Sequence, residues 1–259
     1  MKGQLPMAQS KILVYDIETT PSLGWVWGKY QQDVIEFKEE WHLLCFAYKW
    51  LGEEETHVVS LPQFPQYATD PENDFYVVAK LWSLFNEADV VIAHNGNKFD
   101  QRKAHARFII HGFEPPAPYK QIDTLLTAKR YFGFNSNKLD DLGEVLGVGR
   151  KVKTGGFDLW HGCMQGNTDA WAKMEEYNKQ DVSLLENVYI KLRPWMDNHP
   201  GRNIMEGKLD ACPKCGENTL VKRGIRFNKS TTSQRYKCVS CGGWCHSRKS
   251  TNSLPLVVN

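Results

Sequence analysis

Lys11-Ile12-Leu13-Val14-Tyr15-Asp16-Ile17-Glu18-Thr19-Thr20 is the stretch whose reading decides the fold. Residues 11–17 are apolar and β-branched, which predicts a short, buried central strand. Asp16 and Glu18 stand two apart, so on a strand their side chains share one face. Carboxylates at the end of a buried strand need a neutralising partner, and a metal ion is the usual one. The plain alternative is a strand end turned to solvent.

Outward from this strand the pattern alternates. Residues 42–50 predict a second strand, and residues 56–61 return after the turn Leu51-Gly52-Glu53 as a hairpin. Residues 62–71 read as a loop. Val77, Val78, Leu81, Leu84 and Phe85 fall at helical spacing within 74–87. Val90-Val91-Ile92-Ala93 is a short buried strand, and residues 99–111 a helix stopped by Gly112 and Pro115-Pro116. Further helices are expected over 123–132 and 139–146, with irregular chain over 149–166. Thr168 is placed to cap a long helix over 169–192. Strands first, then strands alternating with helices, predict an α/β fold with a mixed central sheet flanked by helices.

Two more acidic contexts follow. In His94-Asn95-Gly96-Asn97-Lys98-Phe99-Asp100, a carboxylate opens a helix just after a strand. A helix N-terminus favours an acid there as a cap, and loop polar groups such as His94 and Asn95 also serve to satisfy backbone. In Tyr177-Asn178-Lys179-Gln180-Asp181 the tyrosine and the aspartate lie four apart on one helix face, with Met174, Leu184 and Leu185 around them. An aspartate on an apolar face is costly without a cation.

Together these contexts resemble the DnaQ-like (DEDD) 3′–5′ exonucleases, which have an RNase H-like fold. The matching motifs are Asp-x-Glu at Asp16 and Glu18, Asn-x-x-x-Phe-Asp from Asn95 to Asp100, and Tyr-x-x-x-Asp from Tyr177 to Asp181. Each motif alone is common; three in this order, on suitable elements, are specific. The third motif is the tyrosine form (DEDDy), nearest the exonuclease domains of family B DNA polymerases. The resemblance covers residues 10–195. It implies that Asp16, Glu18, Asp100 and Asp181 bind two Mg²⁺ or Mn²⁺ ions and that Tyr177 positions the attacking water. It further implies in-line attack at the 3′-terminal phosphodiester and release of 5′-mononucleotides. Two hard cations held by carboxylates about 3.5–4 Å apart suit that chemistry. Residues 139–147 resemble the Leu-rich helix that precedes the third motif in such domains, and Asp123-Thr124 a recurring helix start.

The composition points the same way. Among 259 residues the net charge is +2, but residues 205–259 carry ten Lys+Arg against three Asp+Glu, while the body before them is net negative. A basic tail suggests a polyanionic partner. Cys212-Pro213-Lys214-Cys215 and Cys238-Val239-Ser240-Cys241, each followed by Gly, read as two thiolate knuckles around one Zn²⁺. A zinc ribbon is expected over 205–250, with hairpin strands over 219–227 and 234–237, a linker over 196–204 and a tail over 251–259. Zinc would supply much of the stability of so small a module. Lys222, Arg223, Arg226, Arg235 and Tyr236 within it, with Asn95 in the body, are the expected nucleic-acid contacts. A protein-docking module with a solvated basic face is the alternative. Trp25, Trp27 and Trp41 are read as ordinary core residues or base-stacking rings, and Lys151 and Lys153 as a solvated loop or phosphate contacts.

No run approaches a membrane span and none has signal-peptide character, so a cytoplasmic protein with no membrane partner is expected. The expected function is a stand-alone 3′–5′ exonuclease acting on single-stranded or 3′-end DNA. A separate polymerase or replication protein would be its partner, a build that suits a phage protein. An exoribonuclease, a structure-specific RNase H-like endonuclease and an inactive nucleic-acid-binding adaptor are the alternatives.

Overall fold

The structure, a computed structural model, describes residues 10–30, 33–152 and 154–253. Lys153, most of the polar lead-in and the end of the expected tail lie outside these residues. The chain divides into two compact units, residues 11–188 and a second one that begins at Tyr189 and includes Ser10.

In the first unit the strands are β1 (Ile12–Thr19), β2 (Leu23–Trp25), β3 (Glu36–Glu39), β4 (Leu43–Trp50) and β5 (His57–Ser60). Then come α1 (Phe75–Glu87), β6 (Val90–Ala93), α2 (Asp100–Ile110), β7 (Lys120–Asp123) and α3 (Thr124–Tyr131). Helices α4 (Leu139–Val145), α5 (Phe157–Met164) and α6 (Thr168–Leu192) follow. Five strands form one sheet in the order β5-β4-β1-β6-β7. β1 runs antiparallel to β4 and parallel to β6, so the sheet is mixed, as its sequence predicts. Its central strand is buried because both edges are paired: Ile12, Leu13, Val14 and Tyr15 are almost wholly excluded from solvent. Leu13, Tyr15 and Ile17 pack with Val77, Val78, Leu81 and Phe85 of α1, and with Phe108, Leu159 and Met174 of three other helices.

The elements depart from expectation in four places. β2 and β3 form a separate two-stranded sheet between the first two long strands. β7 lies just ahead of the segment expected to be helical, which forms α3; Lys120-Gln121-Ile122-Asp123 holds one apolar residue, so periodicity does not reveal the strand. α5 lies in the segment expected to be irregular. It starts after Gly155 and Gly156, both at positive φ, and buries only Leu159 and Cys163. Two short 3₁₀ turns, Leu61–Gln63 and Pro65–Ala68, fill the expected loop.

The second unit contains α7 (Arg202–Met205), which overlaps the end of the expected linker, and a sheet of β8 (Leu220–Phe227), β9 (Thr231–Cys238) and β10 (Trp244–Ser253) in the order β10-β9-β8. The third strand was not anticipated. The hairpin β8-β9 fills the gap between the two cysteine pairs, as expected.

Candidate active site and cysteine centre

β1 brings Asp16 and Glu18 to one face at its C-terminal end, and α6 brings Asp181 to meet them. One carboxylate oxygen of each lies within 4.8 Å of the other two. Asp181 is fully buried, and its Oδ1 has no hydrogen-bond partner. A buried carboxylate oxygen left unpaired is costly, and a hard cation is the partner that this donor set fits. Asp100 stands beside the three. Its carboxylate is not a cap for α2: Oδ1 accepts from Ile17 N at 3.3 Å, on β1 between the first two acids.

Electrostatics mark the cluster. Burial pushes the Asp16 carboxyl well above the usual range, and the charges of Asp100, Glu18 and Asp181 add to it. Burial, with the Asp181 charge next, raises Glu18 to about 8. Asp100 is raised to about 7, chiefly by burial. Asp181 moves up for the same first reason, opposed by Lys151. So many acids held against their charged form in one place are a functional signature.

Lys151 answers part of this charge, and sequence reasoning favoured a solvated loop for it. Its Nζ donates to Asp181 Oδ2 at 2.5 Å and to Tyr177 OH at 3.3 Å. Its backbone is fixed because Lys151 N donates to Asp140 Oδ1 at the start of α4. Only the juxtaposition of two Gly-flanked basic residues with an acidic short helix hints at this in the sequence.

Asn178 was also missed. It is fully buried one residue after Tyr177, and its Nδ2 donates to Asp16 Oδ2 at 2.9 Å and to Asp16 O at 3.3 Å. Cys45 Sγ in turn donates to its Oδ1 at 3.7 Å. Asn178 thus fixes the rotamer of the first acid. Trp160, on the unforeseen α5, eases the ionisation of Glu18 and meets Tyr177 edge-on at 6.1 Å. Burial, then the neighbouring acids, push the Tyr177 phenol far up, so it stays protonated.

The other expected residues serve the frame or the rim. Asp123 caps α3 through Leu125 N and Leu126 N. It also accepts from Asn95 N and Asn97 N, which pins the loop ahead of Asp100. Asn95 takes φ 68°, and its carbonyl accepts from Lys98 N and Phe99 N; its side chain is half-buried and does not join the acids. His94 is held neutral by burial between Thr124 Oγ1 and Asn137 O. Trp25 and Trp27 are not core residues, being 61% and 89% exposed. Trp41 lies under Lys103, whose Nζ is 3.8 Å from the ring centre and donates to Thr19 Oγ1.

In the second unit the sulfurs of Cys212, Cys215, Cys238 and Cys241 all lie within 4.8 Å of one another. Cys212–Cys241 is 3.9 Å and Cys215–Cys238 3.6 Å. A tetrahedron with Zn–S of about 2.3 Å sets its sulfurs about 3.8 Å apart, so the four thiols fit one zinc ion. Both knuckles are tight: Lys214 N points at Cys212 Sγ, Gly243 N at Cys241 Sγ, and Gly216 and Gly242 take positive φ. The expected basic contacts do not share one face. Directly opposed residues in a sheet point the same way. Lys222 opposes Tyr236, while Arg235, one residue before Tyr236, falls on the alternate face and opposes His246.

The site thus joins two acids at the end of the middle strand of a mixed sheet to a third on α6, with Asp100 at the start of α2 beside them. Residues 37–193 match the model of RNase_H_2, described as RNase_H superfamily, and the chain belongs to that superfamily. The matched span includes Asp100, Tyr177 and Asp181 and begins after Asp16 and Glu18. The structure is similar to that of the family B DNA polymerase from the hyperthermophilic archaeon Pyrobaculum calidifontis. The TM-score is 0.53 at 13% identity, over 89% of this chain and 32% of the polymerase. The chain therefore spans about a third of that polymerase's length, and the likeness is one of fold. No curated protein sequence matches the chain. Superfamily membership and the acid cluster together support a nuclease. Among the described residues, no helix is long and apolar enough to cross a membrane.

Proposed function

We propose that this chain is a divalent-metal-dependent 3′–5′ exonuclease of the DEDDy type, with DNA as its favoured substrate. The convergence of Asp16, Glu18 and Asp181, with one buried Asp181 oxygen unpartnered, carries the reading. Asp16, Glu18, Asp100 and Asp181 would hold two Mg²⁺ or Mn²⁺ ions. Such ions, when bound, polarise the phosphate and make water acidic enough to attack at neutral pH.

The chain's own groups supply position and charge. Tyr177, protonated and one turn before Asp181, offers a hydroxyl to orient the incoming water. Lys151 sets an ammonium beside that hydroxyl, where it also meets phosphate charge. Asn178 and the Ile17 amide hold Asp16 and Asp100 in place, so little reorganisation remains at the moment of reaction. Asn95 lies in the loop that leads to Asp100, and a contact with the terminal nucleotide belongs to this reading. Residues 10–195 are then the exonuclease domain, 196–204 a linker and 205–250 a zinc ribbon holding one Zn²⁺, followed by a tail over 251–259.

Oligonucleotides labelled at either end test the proposal. With Mg²⁺, a 3′ label should leave as mononucleotide at once, while a 5′ label should shorten through a ladder. DNA and RNA strands run in parallel decide the sugar. Internal cuts as first products, or no Mg²⁺-dependent cleavage, would overturn the reading.

A further inference from the structure

The three-stranded sheet of the second unit presents two chemically different faces. On one, Lys222 opposes Tyr236, which opposes Cys245. On the other, Val221 opposes Lys237, which opposes Trp244, and Arg235 opposes His246. Val221, Arg235, Lys237, Trp244 and His246 on this second face are all exposed. Trp244 is 48% exposed, with the Arg235 guanidinium 5.0 Å and the Lys237 ammonium 6.0 Å from its ring centre. Arg235 is aimed as well as charged, since its Nε donates to Arg223 O across the hairpin. Both cations lie over the indole, which still keeps about half of its surface open to solvent.

We propose that this Trp244 face binds an unpaired stretch of the nucleic-acid strand, with a base stacked on the indole and flanking phosphates on Arg235 and Lys237. The inference deepens the proposed nuclease function and rests on it for the identity of the ligand. Charge chooses the occupant: residues 205–259 carry ten basic and three acidic residues, so the module favours a polyanion over an acidic-poor protein surface. The aromatic chooses the form of that polyanion. A half-exposed ring with cations at hand accepts a base only where the base is unstacked from its own partners, and a duplex offers its phosphates alone.

The test uses the full chain carrying Asp181→Asn, in buffer without divalent ions, so that nothing is cleaved. The probe is labelled oligodeoxythymidylate of roughly 12 nucleotides, within the site sizes of single-strand binders, with an oligouridylate arm and a duplex arm. Trp244→Ala should weaken single-strand binding about tenfold, and Trp244→Phe should retain most of the affinity. Arg235→Ala and Lys237→Ala should each lower the salt slope by about 0.7. Lys222→Ala, on the opposite face, should cost less than either. Zinc content and melting temperature establish that each variant is folded, and the Arg235 and Lys237 variants decide the matter if Trp244→Ala is not. Unchanged affinity for Trp244→Ala, equal losses from both faces, or a duplex held as tightly as the single strand would overturn the proposal. The nuclease reading is read separately, from Mg²⁺-dependent cleavage by the parent chain.

Discussion

Glu18 and Asp100 carry the clearest pH signature at the scale of single residues. Their folded carboxyls are raised to about 8 and about 7, against ordinary values near 4 in an unfolded chain. A raised acid binds more protons folded than unfolded, so the Mg²⁺-free protein should lose stability as pH rises from about 4.5 through 8. Urea midpoints across that window, compared with Glu18→Gln, isolate the contribution: the variant should show a shallower fall, and Mg²⁺ should flatten it in the parent. Asp16→Asn should reduce Mg²⁺-dependent cleavage by at least about 10²-fold, the scale of losing preorganised charge stabilisation. The same variant should raise the melting temperature without Mg²⁺ at alkaline pH, where it removes a carboxylate that burial and its neighbours hold against ionising. Lys151→Met leaves buried Asp181 without its cation. It should cost the Mg²⁺-free protein about 2 kcal/mol, below the full price of a buried pair because the lysine is partly exposed. Added Mg²⁺ should recover much of that loss in a thermal melt.

The elements were legible in unequal degree. β1, β4, β6 and α1 were plain because burial demands an unbroken apolar run or a regular stripe, and the five predicted α1 residues are the buried ones. β7 was hidden because a four-residue strand beside a helix shows one apolar position. α5 was hidden behind two glycines, and with it went the placement of Trp160. The motif acids could be found in the sequence; the groups that hold them could not, since Lys151 and Asn178 act through space and carry no spacing rule of their own. Asp123 is the case where the modest reading as a cap was sound and incomplete. It caps α3 and also ties down the loop before Asp100. Asp123→Ala should therefore destabilise by about 2 kcal/mol, more than the roughly 1 kcal/mol of a simple cap. It should lower cleavage as well, while an Asp123→Asn change should keep part of both. Denaturant melts paired with rates on one substrate give the comparison.

The whole molecule combines an acidic body that supports nuclease chemistry with a small basic unit whose four thiols fit one zinc. That unit has little core of its own, so a thiolate-selective chelator should unravel β8, β9 and β10 while the five-stranded sheet persists. Hydrogen exchange resolved by segment should show protection lost beyond residue 205 and kept in β1 and β6; uniform loss or uniform retention would contradict a zinc-held module. The larger unit joins its earliest strand to its last helix at the acid cluster, since Asp16 and Asp181 are separated by nearly the full length of that unit. A chain still emerging from the ribosome owns three of the four acids and lacks the fourth until α6 is out. On the proposed function, cutting power would arrive only with completion of the unit, and no shorter nascent fragment would act on the nucleic acid around it.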